Sequence, residues 1–250
     1  MGGERSRPRY TFGDDDPAGE RLRLVADAYR PTSESFVTRH ARRSPASALD
    51  LGCGPGFSTE LLAHVCRPRR LLGIDAAPSF IDLARRRVPD AEFAEHDASV
   101  TPLPGAPATM IYARLLLAHL PDPLGMARRW QGELSAGGTL LVEDLEDITA
   151  PTGPLRDYEA LSTEMVRSGG GSMYAGRALA PLGGSCVEVR VPARLAATIS
   201  LVNVERWSGE APEGPGRRHL DQLSRGLGKV AVAGSGTVVW TVRQVAASAE

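Results

Sequence analysis

The chain has 250 residues, 29 Lys and Arg against 30 Asp and Glu, and a formal net charge of −1. That length holds one large domain with a substantial core, and the near-neutral, scattered charge excludes the basic stripe of a nucleic-acid binder. Cys53, Cys66 and Cys186 are odd in number and lack CxxC spacing, which argues against a disulfide framework or a bound metal and makes a reduced, cytoplasmic setting the expectation. The polar start MGGERSRPRY leads into no apolar signal region, and no apolar run reaches the ~20 residues needed to span a membrane.

In chain order, residues 1–9 read as a flexible tail and 10–45 as a helical cap. Leu22, Leu24, Val25 and Ala28 have helical spacing, and Pro31 is expected to divide this stretch into two helices. Residues 46–150 read as a ligand-binding core. ASALDL is a short buried strand, and STELLAHVCR a helix behind a Ser/Thr cap. The alternation continues with a strand at 70–75, a helix from Ala77 to Val88 with Pro78 in its first turn, strands at 91–97 and 108–113, a helix at 126–134 and a strand at 138–144. Arg85, Arg86 and Arg87 read as a solvated helix end. Strands alternating with helices predict an α/β fold: a Rossmann-like, doubly wound, seven-stranded, mostly parallel sheet with helices on both faces and a helical cap. Residues 151–182, with one helix and then Gly169–Gly171, read as a mobile lid inserted over the sheet edge. Residues 183–250 supply two late strands and a helix, the last strand closing the sheet.

The segment ALDLGCGPGFST (48–59) carries the chemistry. A strand, a tight glycine turn and a helix bring backbone N–H groups and a helix N-terminus against a ligand. Gly52, Gly54 and Gly56 are spaced G-x-G-x-G, one position short of the dinucleotide pattern G-x-G-x-x-G. Asp50 precedes the turn. Asp75 ends the second strand, where a carboxylate can accept both hydroxyls of a ribose, and Asp97 ends the third, where it can accept an adenine amino group. Three acids on three successive strand ends favour a nucleoside without phosphates, such as one bearing a sulfonium.

With ALDLGCGPGFST, LLGIDAAPSFIDLARRR, FAEHDASVTPLP, IYARLLLAHLPDP and ELSAGGTLLVED in that order, the chain resembles the class I S-adenosylmethionine-dependent methyltransferases; its head, YTFGDDDPAGERLRLVADAYRPT, is similar to a bacterial small-molecule subgroup. The resemblance runs from Tyr10 to Asp147 and implies S-adenosylmethionine as cofactor. It implies that Gly52, Cys53 and Gly54 approach the methionine part and that Asp50 supports the turn and the cofactor amine. Asp75 would hold the ribose, with Ala76 and Phe80 on the adenine face and Asp97 and the Ala98 N–H at its edge. Ala113 and Arg114 would lie near the methionine end, and Arg21 with Tyr10 would meet the carboxylate. His119 is the candidate general base; an acid among Glu143, Asp144, Glu146 and Asp147 is the other possibility. The expected activity is methyl transfer to a small-molecule acceptor by a monomer or homodimer, with neither nucleic acid nor membrane as partner. A protein that binds the cofactor without methylating, or a nicotinamide-dependent oxidoreductase, is the alternative.

Overall fold

The computed structural model describes residues 16–150 and 153–249. Seven strands form one sheet in the order β3-β2-β1-β4-β5-β7-β6. They are β1 (Ala48–Leu51), β2 (Leu71–Asp75), β3 (Glu92–Glu95), β4 (Ala108–Arg114), β5 (Leu134–Thr149), β6 (Ser185–Pro192) and β7 (Thr237–Ser248). The first five pair in parallel, and β7 runs antiparallel to both β5 and β6. The helices are α1 (Asp16–His40), α2 (Phe57–Val65), α3 (Pro78–Arg87), α4 (Pro123–Gln131), α5 (Pro154–Ser168), α6 (Ala193–Glu210) and α7 (Pro215–Ala233).

The period of two along each strand sorts side chains between two cores. Leu49, Leu51, Ile111, Leu140 and Val142 meet Met126 and Trp130 of α4 on one face. Ala48, Met110, Tyr112 and Leu141 meet Phe36 and Val37 of α1 and Leu61 and Leu62 of α2 on the other. A third cluster joins Tyr29 of α1 to the apolar side chains of β6, β7 and α5–α7. The doubly wound sheet expected from the sequence is present. Its order reverses between β1 and β4, the place where such sheets open a crevice at their carboxyl ends.

Four elements differ from expectation. Helix α1 runs unbroken through Pro31. Beside the proline, Thr32 Oγ1 donates to the Tyr29 carbonyl at 2.9 Å and Gln244 Nε2 to the Thr32 carbonyl at 3.3 Å, tying this part of the helix to β7. Tyr29 on one side of the proline and Phe36 and Val37 on the other are buried in separate clusters, so packing overrides the local preference. Strand β5 takes Leu134–Ile148 and Thr149, beginning within the segment read as the end of a helix. Strand β7 lies inside the sheet and β6 forms the edge, the reverse of the expected closure. The alternating exposure of β6 suits an edge, whereas β7 buries Val238, Val242, Gln244 and Val245. Finally, two helices rather than one separate these strands. Helix α6 is nearly uniform in polarity and presents no clear stripe in the sequence, whereas α7 is amphipathic but interrupted by Gly216, Gly226 and Gly228.

Candidate functional site

The three glycines of the β1–α2 turn all have left-handed backbones, with φ of +62° at Gly52, +51° at Gly54 and +88° at Gly56. This is the conformation that glycine adopts without steric penalty. At Gly56 a Cβ would also stand 3.0 Å from the Ala84 Cα, so the glycine lets α3 lie against the turn. Asp75 fixes the same turn from β2: its Oδ2 accepts from the Gly54 N–H and its Oδ1 from the Ala77 N–H, each at 2.9 Å.

A cavity of about 1200 Å³ opens at these strand ends. One half is walled by Gly52–Pro55, the start of α2, Asp75–Pro78, Phe80 and Glu95–Val100. The other half lies over β4, β5 and β7 and is walled by α1, α5 and α6. Of the residues singled out in the sequence, Arg21, Gly52, Cys53, Gly54, Asp75, Ala76, Phe80, Asp97, Ala98, Arg114 and His119 line this one space. Two do not. Ala113 is enclosed in the sheet between Leu51 and Val142. Asp50 lies behind the wall, fully buried. Tyr10 is outside the described residues.

The Asp50 Oδ2 accepts from Ser58 Oγ at 2.7 Å and from Thr59 Oγ1 at 2.6 Å, while its buried Oδ1 has no hydrogen-bond partner. Burial raises its pKa from 3.8 to about 6, against the two hydroxyls, which lower it. The acid thus ties the first turn of α2 to β1. Asp97 Oδ1 accepts from the Ser99 N–H at 2.8 Å, and the Ala98 carbonyl accepts from Trp130 Nε1 at 2.8 Å. These bonds hold the β3–β4 segment against the core. Arg87 is exposed, as expected of the helix end, yet its Nε donates to the Pro55 carbonyl at 3.1 Å and its guanidinium lies 3.8 Å from the Phe57 ring centre.

His119 closes a 3₁₀ turn, Leu117–His119, and is partly open to the cavity. Burial and the neighbouring Arg21 guanidinium lower its pKa from 6.5 to about 4, so the ring is neutral at pH 7. A proton acceptor works best with a pKa near the working pH, so His119 is poorly matched to that task. The acids after β4 separate cleanly. Glu143 is buried away from the cavity, accepting from Tyr112 Oη at 2.5 Å and from Gln244 Nε2 at 2.7 Å. Glu146 pairs with Arg243, and Asp147 with Arg177. Asp144 alone of the four lines the cavity. Its oxygens accept from the Leu117 and Leu145 N–H groups, and burial raises its pKa to about 7.

Sequence reasoning missed the wall formed by Tyr29, Ile148, Ala196, Ile199, Val238 and Trp240. Tyr29 and Trp240 stack with ring centres 5.5 Å apart. The period-two run GTVVWTV signals that Trp240 and Val238 share a face, but nothing local says that the face meets a cavity. Segment 153–182 does contribute to the wall, through Leu155, Tyr158, Glu159 and Val166. Its glycines permit close approach as well as freedom: a Cβ on Gly171 would fall 2.1 Å from the Ala118 carbonyl oxygen, and the Ser172 N–H donates to that oxygen at 2.9 Å.

No helix among the described residues is long and apolar enough to cross a membrane. Residues 49–142 match the family described as "Methyltransferase domain". A trans-aconitate 2-methyltransferase of Methylobacterium radiotolerans is 36% identical over 62% of this chain and 59% of its own length. That of Methylobacterium nodulans is 34% identical over 54% of this chain and 52% of its own. The matches thus span little more than half the length of these curated relatives. A geranyl diphosphate C-methyltransferase from Streptomyces coelicolor A3(2), solved with S-adenosyl-L-homocysteine, superposes with a TM-score of 0.52 at 15% identity, covering 99% of this chain and 94% of that one, which is a likeness of fold. The glycine turn and strands β2 to β4 fall within the family match, so residues 49–142 are similar to a methyltransferase domain, in keeping with the class I S-adenosylmethionine-dependent methyltransferases that the sequence resembles.

Proposed function

We propose that the protein binds S-adenosylmethionine and transfers its methyl group to a small-molecule acceptor. The observation that carries this reading is the glycine turn facing Asp75 and Asp97 across one cavity that extends beyond them. The donor set suits a cationic nucleoside. The turn Gly52–Gly54 offers backbone without side chains, and Asp75 is already oriented by two backbone N–H groups, leaving lone pairs for a ribose diol. Phe80 and Ala76 provide an apolar seat for a purine, Asp97 an acceptor for its amino group, and Arg21 a planar cation for a carboxylate.

Bound S-adenosylmethionine supplies a methyl group already activated on sulfonium. The chain's own part is alignment and exclusion of water. Arg114 is held by Ser33 Oγ at 3.3 Å and lies 5.9 Å from the Tyr29 ring centre. This fixes a cation in the half of the cavity over β4, β5 and β7. Neutral His119 can accept or donate a hydrogen bond there without adding charge.

The test is thermal denaturation with S-adenosylhomocysteine and with NAD. A ligand present at 100 times its Kd stabilises the native state by about 2.7 kcal/mol. Stabilisation by S-adenosylhomocysteine alone is expected. Stabilisation by NAD alone would reverse the reading in favour of a nicotinamide enzyme.

A further inference from the structure

The half of the cavity over β4, β5 and β7 has a polarity of its own. Among the described residues its charged side chains are Arg114, Asp144 and Glu159, with Arg21 at the boundary. Those within this half are each engaged by the protein. Arg114 takes Ser33, Asp144 takes two backbone N–H groups, and the Glu159 carboxylate accepts from the Tyr174 hydroxyl. The hydroxyls are turned inward as well. Ser162 Oγ donates to the Tyr158 and Glu159 carbonyls, and Ser200 Oγ to the Ala196 carbonyl at 2.8 Å. What remains facing the space is apolar and aromatic: Tyr29, Ile148, Leu155, Ile199, Val238 and Trp240.

We propose that this half receives an uncharged acceptor with an apolar, ring-sized body, and that it excludes polycarboxylates. The proposal rests on the methyl-transfer reading above and deepens it. Its substance is a contrast with the tricarboxylate named for the curated relatives. Three carboxylates moved from water into this chamber would meet, among the described residues, one arginine and two acids. Buried charge without paired partners is strongly unfavourable. A neutral ring displaces water from apolar walls and meets Trp240, which Tyr29 backs by stacking, with no such penalty. The walls that make the difference belong to α5, α6 and β7, beyond residues 49–142 of the family match.

The probe is N-phenyl-1-naphthylamine, a neutral diarylamine that fluoresces in apolar sites, titrated into the full chain saturated with S-adenosylhomocysteine. Trans-aconitate is the competing probe, followed by calorimetry and by displacement. Ile199→Trp and Ser200→Phe fill the chamber from α6 without touching the nucleoside half. Saturable binding of the diarylamine is expected, weakened at least about tenfold in either variant, while S-adenosylhomocysteine affinity stays within about threefold. Trans-aconitate should neither bind nor displace. Saturable binding of trans-aconitate overturns the proposal. So does diarylamine binding that is absent in the parent or survives both substitutions. A variant that loses S-adenosylhomocysteine is set aside as misfolded, and the other then decides. A parent that fails to bind S-adenosylhomocysteine refutes the methyl-transfer reading itself, a result distinct from the others.

Discussion

Replacing Asp50 with asparagine should make the protein progressively more stable than the parent as pH rises. Among the described residues Asp50 has no cationic partner at hydrogen-bond distance, and its buried Oδ1 has no hydrogen-bond partner. Its pKa of about 6 in the folded chain, against an ordinary 3.8, means that the native state holds this proton more tightly than the unfolded state. The resulting stabilisation is complete below pH 3.8 and disappears as pH rises through about 6. At 1.36 kcal/mol per pKa unit, the full difference is about 3 kcal/mol, most of it falling between pH 4 and pH 8. Asparagine keeps an oxygen for Ser58 and Thr59 but does not ionise. Its amide nitrogen inherits the unpartnered position at a cost of about 1–3 kcal/mol, which is the same at every pH and cancels from the comparison. Urea denaturation of both proteins at pH 4, 6 and 8 should therefore show the difference moving by about 2–3 kcal/mol in the variant's favour. A difference that is flat with pH, or that moves the other way, would refute the argument that Asp50 is a desolvated acid.

Asp75→Ala removes the acceptor of the Gly54 and Ala77 N–H groups and should weaken S-adenosylhomocysteine binding by about 1.5–3 kcal/mol, or roughly ten- to 150-fold; unchanged affinity in calorimetry would sink the ribose assignment. For His119→Ala, turnover with the true acceptor should fall less than about tenfold, and its pH profile should run parallel to the parent's from pH 6 to 8, because the ring is already neutral there. A loss of about a hundredfold that shrinks as pH rises would restore His119 as the general base. Gly171→Ala forces a Cβ against the Ala118 carbonyl and should destabilise the fold by about 1–3 kcal/mol in urea; an unaffected midpoint would mean that the segment gives way freely.

The parts of the fold that repeat a strand–helix rhythm were readable, because β1, β2 and β4 are compact apolar runs between turn residues. The glycine turn was readable for a stronger reason: three alternate glycines make sense together only as left-handed backbone, and all three are left-handed. Asp75 and Asp97 follow from their position at strand ends. Asp50 illustrates the limit. The sequence places it beside the turn, but whether its side chain faces the ligand or the core depends on the register of β1 against β2 and β4, and it faces the core. Pro31 misled for a similar reason, since the contacts that hold α1 continuous come from residues as distant as Gln244. The wall around Trp240 was illegible because it is assembled from α1, α5, α6 and β7, whose meeting is a matter of packing alone.

The position of β7 between β5 and β6 also bears on how the molecule forms. A growing chain exposes β5 long before β7 exists, since everything from Thr149 to Thr237 must be made first. Until then β5 presents an open edge and β6 has no strand to join, both of which invite association with other chains. The α6–α7 hairpin forms from contacts close in sequence and can precede the sheet. The nucleoside half of the cavity depends on early, local units, whereas the half walled by Val238 and Trp240 is finished only when the last strand slides into its slot. Slow or failed insertion would leave a protein able to hold a nucleoside while lacking an enclosed place for anything to react with it.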